Sequence, residues 1–135
     1  LGEKDAQQLR ILQETMKSLH PNIEIIGVPT VREADGLAMS SRNKYLSFED
    51  RKKALIISKA LSSALNFFKG GEINSTHLIH QTQKILDEEP DFKTQYVDLV
   101  RWSDFQKMDV VREKSILAIA GHLGKTRLID NVFLD

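Results

Sequence analysis

Val28-Pro29-Thr30-Val31-Arg32-Glu33-Ala34-Asp35-Gly36-Leu37-Ala38-Met39-Ser40-Ser41-Arg42-Asn43-Lys44-Tyr45-Leu46 lies between an apolar run, Ile23 to Val28, and a long amphipathic pattern that starts near Ser47. The stretch has no apolar period of its own. A loop of this length inside a compact domain is usually functional or disordered. This one is dense in groups that bind anions: the Ser40 and Ser41 hydroxyls, the fork of Arg42 and the ammonium of Lys44. Arginine pairs bidentately with phosphate oxygens, and hydroxyls donate to them. A phosphate-binding loop is the sharp reading, and a solvated surface loop is the plain one.

Upstream of the loop, Leu9, Leu12, Met16 and Leu19 follow three- and four-residue steps, with Ile11 beside the stripe. That period predicts a helix with one buried face. Asp5 is its expected N-cap. Lys4 then sits at the helix N-terminus, where the macrodipole favours anions and a cation is out of place unless an anion joins it. A solvated lysine at the mouth of a short loop has the same sequence. His20-Pro21-Asn22 breaks the helix, and Ile23 to Val28 reads as a strand with apolar residues on both faces, as in a covered parallel sheet. Ligands of open α/β sheets bind beyond the carboxyl ends of such strands, where this loop begins.

Downstream, Ser47 with Asp50 three residues on is a capping-box variant opening a helix from about Phe48 to Lys69. Its expected buried stripe is Ala54, Leu55, Ile57, Leu61, Ala64, Leu65 and Phe68, and Gly70-Gly71 ends it. A second helix is expected from Ser75 to Glu88, stopped by Pro90. Strand-like runs follow at Thr94–Val100, Ser115–Ala120 and Thr126–Phe133, with links short enough for antiparallel pairing. The fold class expected is an α/β fragment, residues 1–31, followed by a small α+β domain, residues 32–135, with helices on about three antiparallel strands.

The totals narrow the function. Nineteen basic residues balance nineteen acidic ones, which leaves no basic footprint for nucleic acid or a membrane surface. Zero cysteines exclude disulfides and thiolate metal sites. No apolar run approaches a bilayer span. His77 and His80 are three apart on a helix, but no third metal ligand accompanies them. Gly121-His122-Leu123-Gly124-Lys125-Thr126 ends like a P-loop, yet Ile119 stands where that motif needs glycine and a strand follows instead of a helix. The tail Arg127-Leu128-Ile129-Asp130-Asn131 reads as a strand with structural polar ends. The chain starts at Leu1 without methionine and reads as a fragment.

Three blocks carry a resemblance: Gly2-Glu3-Lys4-Asp5-Ala6-Gln7-Gln8, then Gly27 through Asn43, then Gly124-Lys125-Thr126-Arg127-Leu128-Ile129-Asp130-Asn131. In this order they resemble the pantothenate synthetases (pantoate–β-alanine ligases), a family of class I synthetase-like nucleotidyltransferases. The resemblance implies ATP-driven condensation of pantoate with β-alanine through a pantoyl adenylate, releasing pyrophosphate and AMP. It implies a Rossmann-like origin for residues 1–31 and a lid domain for 32–135, whose loop at 32–46 closes over ATP. Gly2, Glu3, Lys4 and Asp5 would line the ATP site, with Lys4 on the phosphates. Gln8 would bind pantoate, Val31 and Met39 would hold adenine, and Ser40, Ser41 and Arg42 would close over the phosphates.

The family's His-x-Gly-His region is not in this chain, nor is much of the pantoate, β-alanine and Mg2+ site that goes with it. The chain is therefore expected to be inactive alone. The family also implies a cytoplasmic homodimer whose partners are small molecules, with no nucleic acid and no membrane. The alternative is a non-catalytic lid module that binds a nucleotide or a partner.

Overall fold

A computed structural model describes all residues, 1–135. A 3-10 turn, Glu3–Asp5, leads into helix α1, Ala6–Leu19, and a second 3-10 turn, Ser41–Tyr45, lies in the long loop. Helices α2, Phe48–Lys69, and α3, Ser75–Leu86, precede three strands: β1, Phe92–Arg101, β2, Ser115–Leu123, and β3, Thr126–Leu134. The strands form one antiparallel meander in the order β1-β2-β3. No helix is long and apolar enough to cross a membrane.

Local chemistry sets the boundaries. Ser47 Oγ accepts the Asp50 N–H at 3.0 Å and starts α2, while Asn74 Oδ1 accepts the His77 N–H at 3.0 Å and starts α3. Helix α3 ends at Leu86, two residues short of expectation, because Glu88 and Glu89 turn back onto Ile85 and Leu86 ahead of Pro90. Gly124 and Lys125 join β2 to β3, with Gly124 at φ 56, a left-handed conformation that costs glycine nothing. Gly121 is tied to its place by close approach: a Cβ there would meet the Phe92 ring and come within 2.7 Å of the Lys93 carbonyl, beside the register shift in β1.

Helices α2 and α3 cover one face of the sheet. Ala54, Ile57, Leu61 and Ala64 of α2 and Leu78 and Leu86 of α3 pack on Leu99, Leu117, Ile119 and Leu123 in one continuous apolar core. Leu55, Leu65 and Phe68 border it, half-buried, so the expected stripe of α2 lies where its period put it. The opposite face, presented by Tyr96, Asp98, Ile116, Ala118, Ile129 and Asn131, is approached by the first turn of α1.

Two expectations need correction. Ile23 to Val28 forms no strand: it runs extended, with a single parallel bridge between Val28 and Gly2. The bridge is made by the Glu3 N–H to the Val28 carbonyl and the Val28 N–H to the Leu1 carbonyl, each 2.8 Å. With no second strand beside it, Ile23, Ile26 and Val28 stay exposed and the ladder ends after one rung. The sequence offers this segment no parallel neighbour, and only the strand reading of Ile23 to Val28 itself is overturned. Asp5 occupies the N-cap position of α1 but its side chain caps nothing, because the 3-10 turn ahead of it already redirects the backbone.

Candidate functional site

Strand β3 organises the site, because adjacent side chains of a strand point to opposite faces. Asp130 points to the helix-covered face and Asn131 to the open one. Asp130, 4% exposed, takes a bidentate pair from Arg32 of the loop, Nη1 to Oδ2 at 2.6 Å and Nη2 to Oδ1 at 2.9 Å. Asn131 donates its Nδ2 hydrogens to the carbonyls of Glu3, 2.9 Å, and Lys4, 3.1 Å. One dipeptide therefore grips the long loop on one side of the sheet edge and the N-terminal turn on the other.

Between these grips the loop is folded back on itself. Arg32 bridges Ala38: the Glu33 N–H donates to the Leu37 carbonyl and the Met39 N–H to the Val31 carbonyl. Gly36 turns at φ 96, and Leu37 and Ala38 are buried below. Arg51 of α2 pairs with Asp35 at 3.1 Å. Ser40 Oγ accepts the Arg42 N–H at 3.2 Å and opens the 3-10 turn, and Asn43 Nδ2 donates to the Ala38 carbonyl at 3.0 Å. Asn43 Oδ1 is buried without a partner.

These contacts bring Lys4, Ser40, Arg42 and Asn43 together with Arg127 and Asp130 around a narrow crevice at the edge of β3. Lys4, Arg42 and Arg127 have no carboxylate within 4.0 Å, whereas Arg10, Arg32, Arg51 and Arg101 all do. The carboxylate of Asp130 is neutralised by Arg32. The crevice is thus a net cationic site with a hydroxyl and an amide in its wall, suited to a polyanion. A cleft of about 500 Å³ opens from it toward Asp5, Gln8 and the open sheet face, and a groove of about 540 Å³ toward Lys125 and Thr126.

Of the residues singled out by sequence, Lys4, Ser40 and Arg42 meet in the crevice, and Asp5 and Gln8 line the adjoining cleft. Ser41 is exposed at the start of the 3-10 turn. Gly2 and Glu3 sit at the bridge to Val28. Val31 and Met39 face each other at the neck of the loop, both exposed, away from the crevice. His77 and His80 gather no ligand set: no three His, Cys, Asp or Glu side chains converge anywhere. His77 instead lies 3.3 Å from Glu72, whose carboxyl is held below the usual carboxylate range by the Asn74 N–H it accepts and, less, by His77. Sequence reasoning gave Arg32 no role, and gave Arg127, Asp130 and Asn131 only structural hydrogen bonds at the polar ends of a strand. A signal was present: Asp and Asn are poor strand formers, yet they stand side by side inside β3.

A profile of the pantoate-beta-alanine ligase family matches residues 1–133. Pantothenate synthetases of Clostridium botulinum and of a Thermoanaerobacter species are 47% and 44% identical over 131 residues, 97% of this chain and 47% and 46% of the relatives. The solved pantothenate synthetase of Thermus thermophilus superposes with a TM-score of 0.92 at 36% identity, over 98% of this chain and 48% of that one. A pantoate-beta-alanine ligase of Francisella tularensis, solved with beta-gamma ATP and beta-alanine, gives 0.61 at 30% identity over 97% of this chain and 41% of its own. The chain spans about half the length of the curated relatives it matches. By sequence and by fold, it belongs to the pantoate–β-alanine ligase family.

Proposed function

We propose that this chain is the C-terminal portion of an ATP-dependent ligase that condenses pantoate with β-alanine, and that the crevice beside β3 takes the phosphates of ATP. The observation that carries this is the meeting of Lys4 with Ser40 and Arg42, from segments over thirty residues apart, in one cationic crevice. Residues 1–31 close the nucleotide-binding domain, and 32–135 form the lid, with the loop at 32–46 over ATP. Gly2, Glu3 and Asp5 flank the nucleotide, and Gln8, in the cleft next to Lys4, binds pantoate. The Val31 N–H and the Met39 carbonyl make no bond within the chain, which leaves a donor and an acceptor for the adenine edge.

The chemistry asks for charge stabilisation more than for a protein nucleophile. The pantoate carboxylate attacks the α-phosphorus, the bond to the β-phosphate oxygen breaks, and pyrophosphate leaves. The amine of β-alanine then attacks the acyl carbon of the adenylate and expels AMP. Lys4, Ser40, Ser41 and Arg42 act on the first step, where charge grows on the phosphate oxygens; losing one such donor from a dry site costs about 2.7–4 kcal/mol of barrier. The protein ligands of Mg2+ would come mainly from the family's N-terminal half, and both Asp130 oxygens are engaged by Arg32 here. In the cell the enzyme works as a cytoplasmic homodimer.

The test is reconstitution. This chain alone should make no pantothenate from ATP, pantoate and β-alanine, and AMP and pantothenate should appear once the N-terminal half of a family member is added. No product in the mixture, with tight ATP binding by this chain alone, would replace the ligase reading by that of a non-catalytic nucleotide-binding lid. Within an active pair, Arg42→Ala should depress adenylate formation in single turnover far more than it weakens ATP binding. Equal losses in the two would remove Arg42 from the chemical step.

A further inference from the structure

The roles proposed above leave Arg127 unused, although it alone lines the crevice, the cleft toward Gln8 and the groove toward Lys125. It stands second in β3, next to the turn at Gly124-Lys125, on a strand whose position the sheet fixes. Its Nε donates to Gln95 Oε1 of β1 at 2.9 Å. No carboxylate lies within 4.0 Å of its guanidinium, so both terminal nitrogens keep their hydrogens for a ligand. Half-buried, held at Nε and free at its fork, it has the geometry that pairs with two oxygens of one phosphate.

We infer that Arg127 is a diphosphate-binding residue, the fixed partner of Arg42 across the anion site, with Gln95 as the residue that aims it. The inference rests on the ATP reading above and extends it to a side chain outside the loop and the N-terminal turn. The surroundings agree in sign. Lys125 and the Thr126 hydroxyl share the groove with Arg42 and Arg127, and Lys4 faces them from the crevice. The acidic neighbours are Asp130, already paired with Arg32, Asp50 in the groove, and Asp5 and Asp98 in the cleft, the last with Lys107 at 4.0 Å. Arg42 is exposed on a surface turn, whereas Arg127 rises from the sheet. Arg127 therefore supplies a fixed edge, against which a diphosphate is held while the loop supplies the second cation.

The probe is inorganic pyrophosphate, titrated calorimetrically into the whole chain and into Arg127→Gln, Arg127→Lys, Gln95→Ala and Arg112→Gln. Arg112 is a control, an exposed arginine that likewise has no carboxylate within 4.0 Å and lines none of the three spaces. Arg127→Gln should weaken binding about tenfold or more, the range of a charge-assisted hydrogen bond. Arg127→Lys should recover part of that, because lysine keeps the charge but not the fork. Gln95→Ala should weaken binding by a smaller factor, and Arg112→Gln should leave it unchanged, with melting temperatures matched throughout. The inference is overturned if Arg127→Gln binds like the parent, if Arg112→Gln loses as much, or if the parent shows no saturable binding. These titrations need no turnover. A failed reconstitution would therefore sink the ligase reading without touching this one.

Discussion

Residues 47–135 and residues 1–46 are held together by different physics. The former bury a continuous apolar layer between two helices and a sheet. The latter bury only Ala6, Leu9, Leu37 and Ala38 among their apolar residues, while nine of the twelve large hydrophobics left exposed, from Leu1 to Tyr45, belong to them. What fixes the front is directional: the Arg32–Asp130 pair, the two Asn131 bonds, the rung between Gly2 and Val28, and the Arg10 bond to the Ser103 carbonyl. Lys4, Ser40 and Arg42, the residues proposed to meet the phosphates, all ride on this polar-pinned part, and Arg127 stands on the other. The site proposed for the phosphates would in this way join a rigid wall to a wall of low local stability, as segments that close on ligands require.

The comparison breaks most visibly in the core. Leu117 is fully buried, and Leu117→Ala should cost about 2–5 kcal/mol in urea unfolding. Leu19 is 67% exposed, and Leu19→Ala should stay within about 0.5 kcal/mol. Similar losses from the two would mean that the front shares the core's cooperativity after all.

Removing the pins is the next largest effect and the more informative one. Asn131→Ala leaves two backbone carbonyls of the N-terminal turn without their donor, and Asp130→Ala leaves Arg32 without its carboxylate. Each should cost about 1–3 kcal/mol. The location matters as much as the size. Hydrogen exchange should quicken at residues 3–5 in the first variant and at 32–39 in the second, with the amides of β2 unchanged. Faster exchange throughout β2 would make these bonds part of the global fold instead of local pins.

How far the sequence could be read follows the same division. Helix α2, its cap and its buried stripe depend on neighbours within a turn or two, and both ends lie where Ser47 and Gly70-Gly71 placed them. The antiparallel meander was legible from strand length and turn spacing. The segment Ile23 to Val28 was legible only in part: the sequence shows no second parallel strand to pair with it, but an apolar run reports a tendency to be buried in a sheet and not that the ladder stops after one rung. The grips of Asp130 and Asn131 span about a hundred residues of chain, and no local pattern encodes them. The two expected N-caps sharpen the point. Ser47→Ala should destabilise by about 1 kcal/mol, since its hydroxyl is bonded, whereas Asp5→Ala should change stability by a few tenths at most, since its carboxylate caps nothing.

The smallest effect belongs to an ion pair on the surface of the better-packed region. Lys53 of α2 donates to Asp91, just ahead of β1, and this bond with the charge behind it holds the Asp91 carboxyl below the usual carboxylate range. The same bond raises Lys53. A carboxyl depressed by folding is protonated more readily in the unfolded chain, so its contribution is complete above the ordinary carboxylate pKa and disappears as pH falls through the lower, folded value. For the raised ammonium the contribution is complete below the ordinary lysine pKa and disappears as pH rises through the folded one. Asp91→Asn should therefore lower the melting temperature slightly at neutral pH and leave it unchanged once acid has protonated the parent's carboxyl. Because both groups meet solvent, added salt should shrink even the neutral-pH difference. A difference that persists in acid would show that Asp91 acts through its hydrogen-bonding shape at the start of β1, and the ion pair would then have no share in joining α2 to the sheet.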